Sequence, residues 1–193
     1  MSILLAQLTS VQAGYAFRGK IPELLDGNTL AIQIKDLTKD GDISWQNVIR
    51  TNIDVIKSKD LLVAGDIIFA ARGQRNFAAV ITPNHMPVVC APHYFVIRIK
   101  NAAKLLPEFL AWQLNQQDAQ RYFAKTAEGS LQVSINRSAL ESIPLIIPEI
   151  KTQKLLVALN EKAKQEKLIL NKLIENRANQ IQGISNQLLH HNS

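Results

Sequence analysis

The chain has 193 residues, 47% hydrophobic and 20% charged, with a formal net charge of +6. That suits one domain of about 150 residues plus an appendage, and no apolar run approaches the roughly 18 residues of a membrane span. The start, MSILLAQLTS, lacks an export signal's basic flank and cleavage site. Cys90 is the lone cysteine, so a disulfide framework is excluded and a reducing cytoplasm is the expected setting.

In chain order, residues 4–12 are short and apolar and predict a strand entering the glycine-bearing turn AGYAFRG. TLAIQI (29–34) predicts a strand with Leu30, Ile32 and Ile34 on one face and Ala31 and Gln33 on the other. Lys39-Asp40-Gly41-Asp42 makes a turn through its glycine and aspartates. DIIFAARG (66–73) and AAVI (78–81) predict a hairpin with RGQRNF at its tip, and 88–99 a strand region interrupted by Pro92. Residues 107–127 predict one helix, opened by Pro107, with Phe109, Leu110, Trp112, Leu114 and Phe123 around its faces. Beyond it come a Gly-Ser loop, a short alternating strand and a small helix, where Ser138 and Glu141 have the spacing of a capping box. IPLIIP predicts a strand whose prolines suit an edge.

From Lys151 to about Leu189 there is no proline, and Gly183 costs a helix only about 1 kcal/mol. Core heptad positions fall on Leu156, Asn160, Ala163, Lys167, Leu170, Ile174, Arg177, Ile181, Ile184 and Leu188. The apolar ones, Leu156, Ala163, Leu170, Ile174, Ile181, Ile184 and Leu188, form one seam, and the three polar ones would fix register or partner choice. Such a rod is about 58 Å long and must bury its stripe against another helix. A helix folded back on its own domain is the plainer alternative. The fold class expected is α+β: a globular domain over 1–148, then a long pairing helix over 149–193.

Charge is unevenly placed. Residues 1–150 hold 15 Lys/Arg against 13 Asp/Glu, whereas the remainder holds 7 against 3. No acidic residue falls between Asp66 and Glu108, a stretch containing Arg72, Arg75, Arg98, Lys100 and Lys104. That is a candidate phosphate footprint, or simply a solvated face.

Catalytic signatures are missing: no phosphate loop, no nucleophile elbow, no His-Glu-x-x-His. His85, Cys90 and His93 lack a fourth ligand at finger spacing, so no metal site is assigned. Glu149-x-Lys151 resembles the tail of a nuclease motif but has no partner aspartate, and a first-turn glutamate explains it. His190 and His191 fall at a terminus expected to fray. What remains is recognition chemistry. Arg72, Gln74, Arg75 and Asn76 at the hairpin tip are the side-chain types that read base edges or grip phosphates. Ser130, Gln132, Ser134, Asn136 and Arg137 form a polar ladder whose alternation opposes Leu131, Val133 and Ile135. Any half-buried strand would also look this way.

The order of these features resembles the target-recognition domain of the DNA-specificity (S) subunit of type I restriction–modification systems. LTSVQAGYAFRG, IQIKDLTKDGDI, LLVAGDIIFAARG and LLPEFLAWQLN follow one another in the family's order, and EGSLQVSINRSALESIPLIIPEIKTQKLLVALNEK completes the set. The most specific pattern is Ile-Pro-x-x-x-Pro-x-x-x-x-Gln, Ile143 to Gln153, where the family's domain passes into its long helix. A tryptophan common near the family's first strand is absent. Arg18 and Lys20, at the end of the glycine-bearing turn, complete the DNA-binding candidates.

It also implies a non-catalytic chain. S-adenosylmethionine would bind the partner modification (methyltransferase) subunit, which methylates adenine, and a restriction subunit can join. Double-stranded DNA would be the ligand. With one domain and one helix the chain matches half an S subunit, and a homodimer through antiparallel helices would restore the whole. The competing expectation is a coiled-coil adaptor, or a recognition module for a separately encoded methyltransferase-nuclease.

Overall fold

The computed structural model describes residues 2–38, 40–72, 76–83, 86–127 and 134–190. The chain divides into two compact units, 1–154 and 155–193.

The first unit opens with β1 (Ile3–Leu4), a single helical turn α1 (Leu5–Leu8) and β2 (Thr9–Ala13). The predicted strand over 4–12 is therefore broken by a helical turn. Thr9 caps that turn, its hydroxyl donating to the Leu5 carbonyl at 2.9 Å, and Leu5 is driven into the core. β3 (Thr29–Ile32) and β4 (Ile49–Thr51) follow, with the chain between them turning at Gly41. Gly41 takes φ +78°, a conformation that favours glycine, and its N–H donates to the Thr38 carbonyl at 3.1 Å.

β5 (Ile67–Ala70) and β6 (Ala78–Val80) make the expected hairpin, with Ile67 opposite Val80. β7 (Val88–Cys90) and β8 (Tyr94–Ile99) flank Pro92 and belong to different sheets. An antiparallel sheet runs β2-β8-β5-β6. A second runs β4-β3-β7, with β3 parallel to β7. β3 is paired along both edges and, independently, buried on both faces. Leu30 and Ile32 join Ile68, Val88, Cys90, Tyr94 and Val96 between the sheets, and Ala31 packs with Ile49, Ile53 and Val89 on the far side.

The predicted helix over 107–127 is two: α2 (Pro107–Asn115) and α3 (Gln117–Thr126), separated by Gln116 in extended conformation. The break lets Phe123 reach Phe69, ring centroids 4.8 Å apart. α4 (Arg137–Glu141) is capped by Asn136, whose Oδ1 accepts from the Ala139 N–H at 2.8 Å. The Ser138 capping box does not form, because Asn136 takes the cap position and Glu141 pairs with Arg137 instead. β9 (Pro144–Leu145) pairs with β1 in a two-stranded edge sheet, and α5 (Ile150–His190) begins after Pro148.

Gln153 fastens the first turn of α5. It is fully buried; its Oε1 accepts from the Leu106 N–H at 2.9 Å, and its Nε2 donates to the carbonyls of Lys104 and Pro148 at 2.9 and 2.8 Å. A buried amide is tolerated only when satisfied in this way. Glu149 stands just ahead of the first turn, its carbonyl accepting from the Gln153 N–H.

The second unit is the remainder of α5. The whole helix has 41 residues, about 62 Å at 1.5 Å per residue, and continues through Gly183. Leu156, first of the predicted seam, and Val157 are half-buried, whereas the seam residues Ala163, Leu170, Ile174, Ile181, Ile184 and Leu188 are exposed, as are Leu155, Leu159, Ile169 and Leu173 about a quarter-turn around.

Candidate nucleic-acid interface

The hairpin root and the segment ahead of α4, 62 residues apart in sequence, are brought together. Arg72 and Ser134 form an antiparallel bridge, and the Ile135 N–H donates to the Ala71 carbonyl at 2.8 Å. Ile135 is buried beneath this junction while Arg72 stays exposed. Two of the predicted recognition segments are thus neighbours. Gln74, Arg75, Ser130 and Gln132, expected to read bases, lie outside the described residues.

Three of the candidates are held in place by the fold. Asn76 is only 8% exposed, and its Nδ2 donates to the Ala70 carbonyl at 2.9 Å, so its amide points into the hairpin rather than to a groove. Asn136 spends its oxygen on the α4 cap. Arg137 is exposed but pairs with Glu141, Nε to Oε1 at 2.8 Å, an ion pair it would have to exchange to meet a phosphate.

The frame behind the junction had no sequence signal. Asn115 brackets Ala78, accepting from its N–H and donating to its carbonyl, both at 2.8 Å, so a side chain pairs the edge strand β6. From α3, Gln120 Nε2 donates to the Asn76 carbonyl at 2.8 Å, and the Tyr122 hydroxyl donates to the Ala139 carbonyl at 3.0 Å.

The predicted basic footprint over 66–108 is not contiguous. Arg98 forks onto Asp66 at 3.0–3.1 Å and onto the Leu61 carbonyl at 2.7 Å, and Lys100 Nζ donates to the Ala6 carbonyl at 2.8 Å. Arg98 on β8 and Lys100 just beyond its end thus each have a partner within the chain, Asp66 with the Leu61 carbonyl for one and the α1 carbonyl of Ala6 for the other, which linear charge counting cannot see.

Arg18 and Lys20 are exposed on the loop after β2. Lys20 lines a cleft of about 370 Å³ together with Phe17, Gln33, Lys35 and His93. Of the trio considered as metal ligands, Cys90 is buried and burial pushes its thiol up to about 12. His93 faces the cleft rim, and His85 lies outside the described residues.

The sequence pattern described as Type I restriction modification DNA specificity domain matches residues 5–181. The chain belongs to that family. No curated protein matches it significantly in sequence. Among solved structures, the S subunit of a type I restriction–modification system from M. genitalium superposes with a TM-score of 0.62 at 12% identity, over 91% of this chain and 41% of that one. The HsdS subunit from Thermoanaerobacter tengcongensis gives 0.63 at 14%, over 89% and 39%. A chain from a structure on complex assembly and conformational transition of the type I R-M system gives 0.63 at 15%, over 88% and 39%. The specificity-domain fold is therefore shared, and this chain spans about two fifths of the length of those it matches. Among the described residues no helix is long and apolar enough to cross a membrane.

Proposed function

We propose that this chain is the DNA-recognition subunit of a type I restriction–modification system and reads one half of a bipartite site. The observation that carries the reading is the Arg72–Ser134 junction, which joins two polar recognition segments on a chain matching the specificity domain over 5–181. No catalytic residue is assigned. A separate modification subunit, bringing S-adenosylmethionine, would methylate adenine where this chain docks it, and a restriction subunit can join.

Pairing follows from the rod. A second copy laid antiparallel along the seam of α5 buries Leu170, Ile174, Ile181, Ile184 and Leu188, and sets two heads apart by a fixed spacer. A two-fold dimer reads inverted half-sites separated by unread bases. The neighbouring row, Leu155, Leu159, Ile169 and Leu173, favours a further helical partner, which we assign to the modification subunit. The domain division is proposed at 148/149, with α5 as the pairing element.

The test is a genome-wide map of methylated adenine with and without this gene. Loss of a gapped palindrome supports a homodimeric specificity subunit. An asymmetric gapped motif means a different recognition chain pairs with it. No change removes the reading and leaves a coiled-coil adaptor.

A further inference from the structure

We propose that the cleft between loops 17–21, 33–35 and 91–93 grips a phosphodiester of duplex DNA, a sequence-blind anchor beside the base-reading hairpin. The inference rests on the DNA-recognition reading above and assigns it a second contact of different chemistry.

The cleft gathers two lysines and an imidazole from three places far apart in sequence. Lys20 comes from the loop after β2, Lys35 from the turn after β3, and His93 from the link between β7 and β8. Among the described residues no carboxylate lines it. Glu23 lines the adjoining recess, which shares Lys20, Gln33 and Lys35, and the Asp36 carboxyl turns inward, accepting from the Gln33 N–H at 2.8 Å. Neither lysine makes an ion pair or a side-chain hydrogen bond among the described residues, although Lys35 lies within Coulombic reach of the inward-turned Asp36 carboxyl. The walls between the charges are apolar: Phe17, Ile21, Ile34 and Pro92. Apolar walls of this kind lower the local dielectric and strengthen attraction for an anion. Gly19 takes φ +85° and makes the bend that precedes Lys20.

Position decides which anion. The Ala71 N–H donates to the His93 carbonyl at 3.0 Å, so the cleft's lip is bonded directly to the strand that continues into Arg72. A duplex read by the hairpin carries one negative charge per about 1.7 Å of its axis, so backbone phosphates pass close beside any base contact. Phosphate grips of this kind fix orientation without reading sequence.

The experiment measures binding of the full chain to a fluorescent duplex of mixed sequence across a salt series. The K20Q/K35Q double variant is compared with K104Q, a charge control beyond the far end of β8, roughly 20 Å of strand from His93. Lys20, Lys35 and Lys104 are all exposed, so folding is unaffected. The expected result is a slope of log affinity against log salt shallower by one to two units in the double variant alone, about 0.9 for each phosphate no longer neutralised. The methylated motif in cells should keep the same bases.

An unchanged slope, a change matched by K104Q, or a wild-type chain that fails to bind the duplex at low salt overturns the cleft assignment. The adenine map separates the two claims. If methylation depends on the gene while the slope stays fixed, DNA recognition stands and only the cleft falls. If neither responds, both fall.

Discussion

Gln120 on α3 donates its Nε2 hydrogen to the main-chain carbonyl of Asn76 at 2.8 Å, across 44 residues of sequence. Two positions on, Tyr122 does the same for Ala139 at 3.0 Å. One helix therefore braces the hairpin root and the α4 segment, and their relative placement depends on it.

Removing this brace should blur recognition more than it weakens the fold. Q120A deletes two hydrogen bonds, to the Asn76 and Leu114 carbonyls, and Y122F deletes one, at about 1 kcal/mol of stability each. We expect a modest fall in Tm but a degenerate methylated motif, with extra bases accepted at one or two positions. A motif as sharp as that of the wild type would mean α3 does not position the reading segments.

Gln153 predicts the opposite balance. In Q153L three part-buried main-chain groups, the Leu106 N–H and the carbonyls of Lys104 and Pro148, lose their partner together. At about 1 kcal/mol for each lost hydrogen bond, urea unfolding should register a loss of about 3 kcal/mol. A loss below about 1 kcal/mol, less than one such bond contributes, would show that the helix start is anchored by packing alone.

The rod can be tested without touching the head. I174D and I181D place a carboxylate at seam positions that are 68% and 58% exposed in the single chain. Each should turn a dimer into a monomer by light scattering, while the far-ultraviolet spectrum of the head is kept. A dimer that persists would move association to another surface.

Arg72 separates two kinds of recognition. If its guanidinium grips a phosphate, R72Q lowers the salt slope by about one unit and weakens all sequences alike. If it reads a base, specificity relaxes at one position, with about 1–3 kcal/mol of discrimination lost. Binding that changes in neither respect would remove the hairpin from the interface.

Asp36 supplies a pH signature. Burial raises its carboxyl above the ordinary 3.8, opposed by the Gln33 N–H and by Lys35, and its Oδ1 has no hydrogen-bond partner among the described residues. A folded-state value above the unfolded one means the folded chain holds the proton more tightly. The stabilisation is complete below the unfolded value and is lost as pH rises through the folded one. Relative to D36N, the wild type should therefore lose stability as pH climbs from about 4. Parallel unfolding curves for the two proteins over that range would contradict the assignment.

Local chemistry was readable in the chain. Alternation over Leu30, Ala31 and Ile32 predicts a strand with two different faces, and both faces are found, each against its own cluster. The prolines at 144 and 148 mark an edge strand and a helix start, and the stretch from Lys151 onward carries helix-forming residues without a breaker. These signals survive because they act over a few residues and the backbone answers them directly.

Other features depend on partners that local sequence does not name. The helical turn Leu5–Leu8 interrupts an apolar stretch because Leu5 fits the core. Gln116 splits one amphipathic pattern so that Phe123 can meet Phe69. Asn76 is a candidate base reader by residue type, yet its amide is drawn inward to the Ala70 carbonyl, and Arg98 is spent on Asp66, 32 residues away.

Short-range signals in the chain thus specify most elements, the α+β class, the rod and the order of motifs that marks the family, since periodicity, turns and caps act between near neighbours. Long-range packing selects which polar side chains face solvent, which loops gather Lys20, Lys35 and His93 around one cleft, and that Arg72 meets Ser134. Those outcomes follow from burial and hydrogen-bond satisfaction between segments tens of residues apart, and a linear pattern holds no record of such distances.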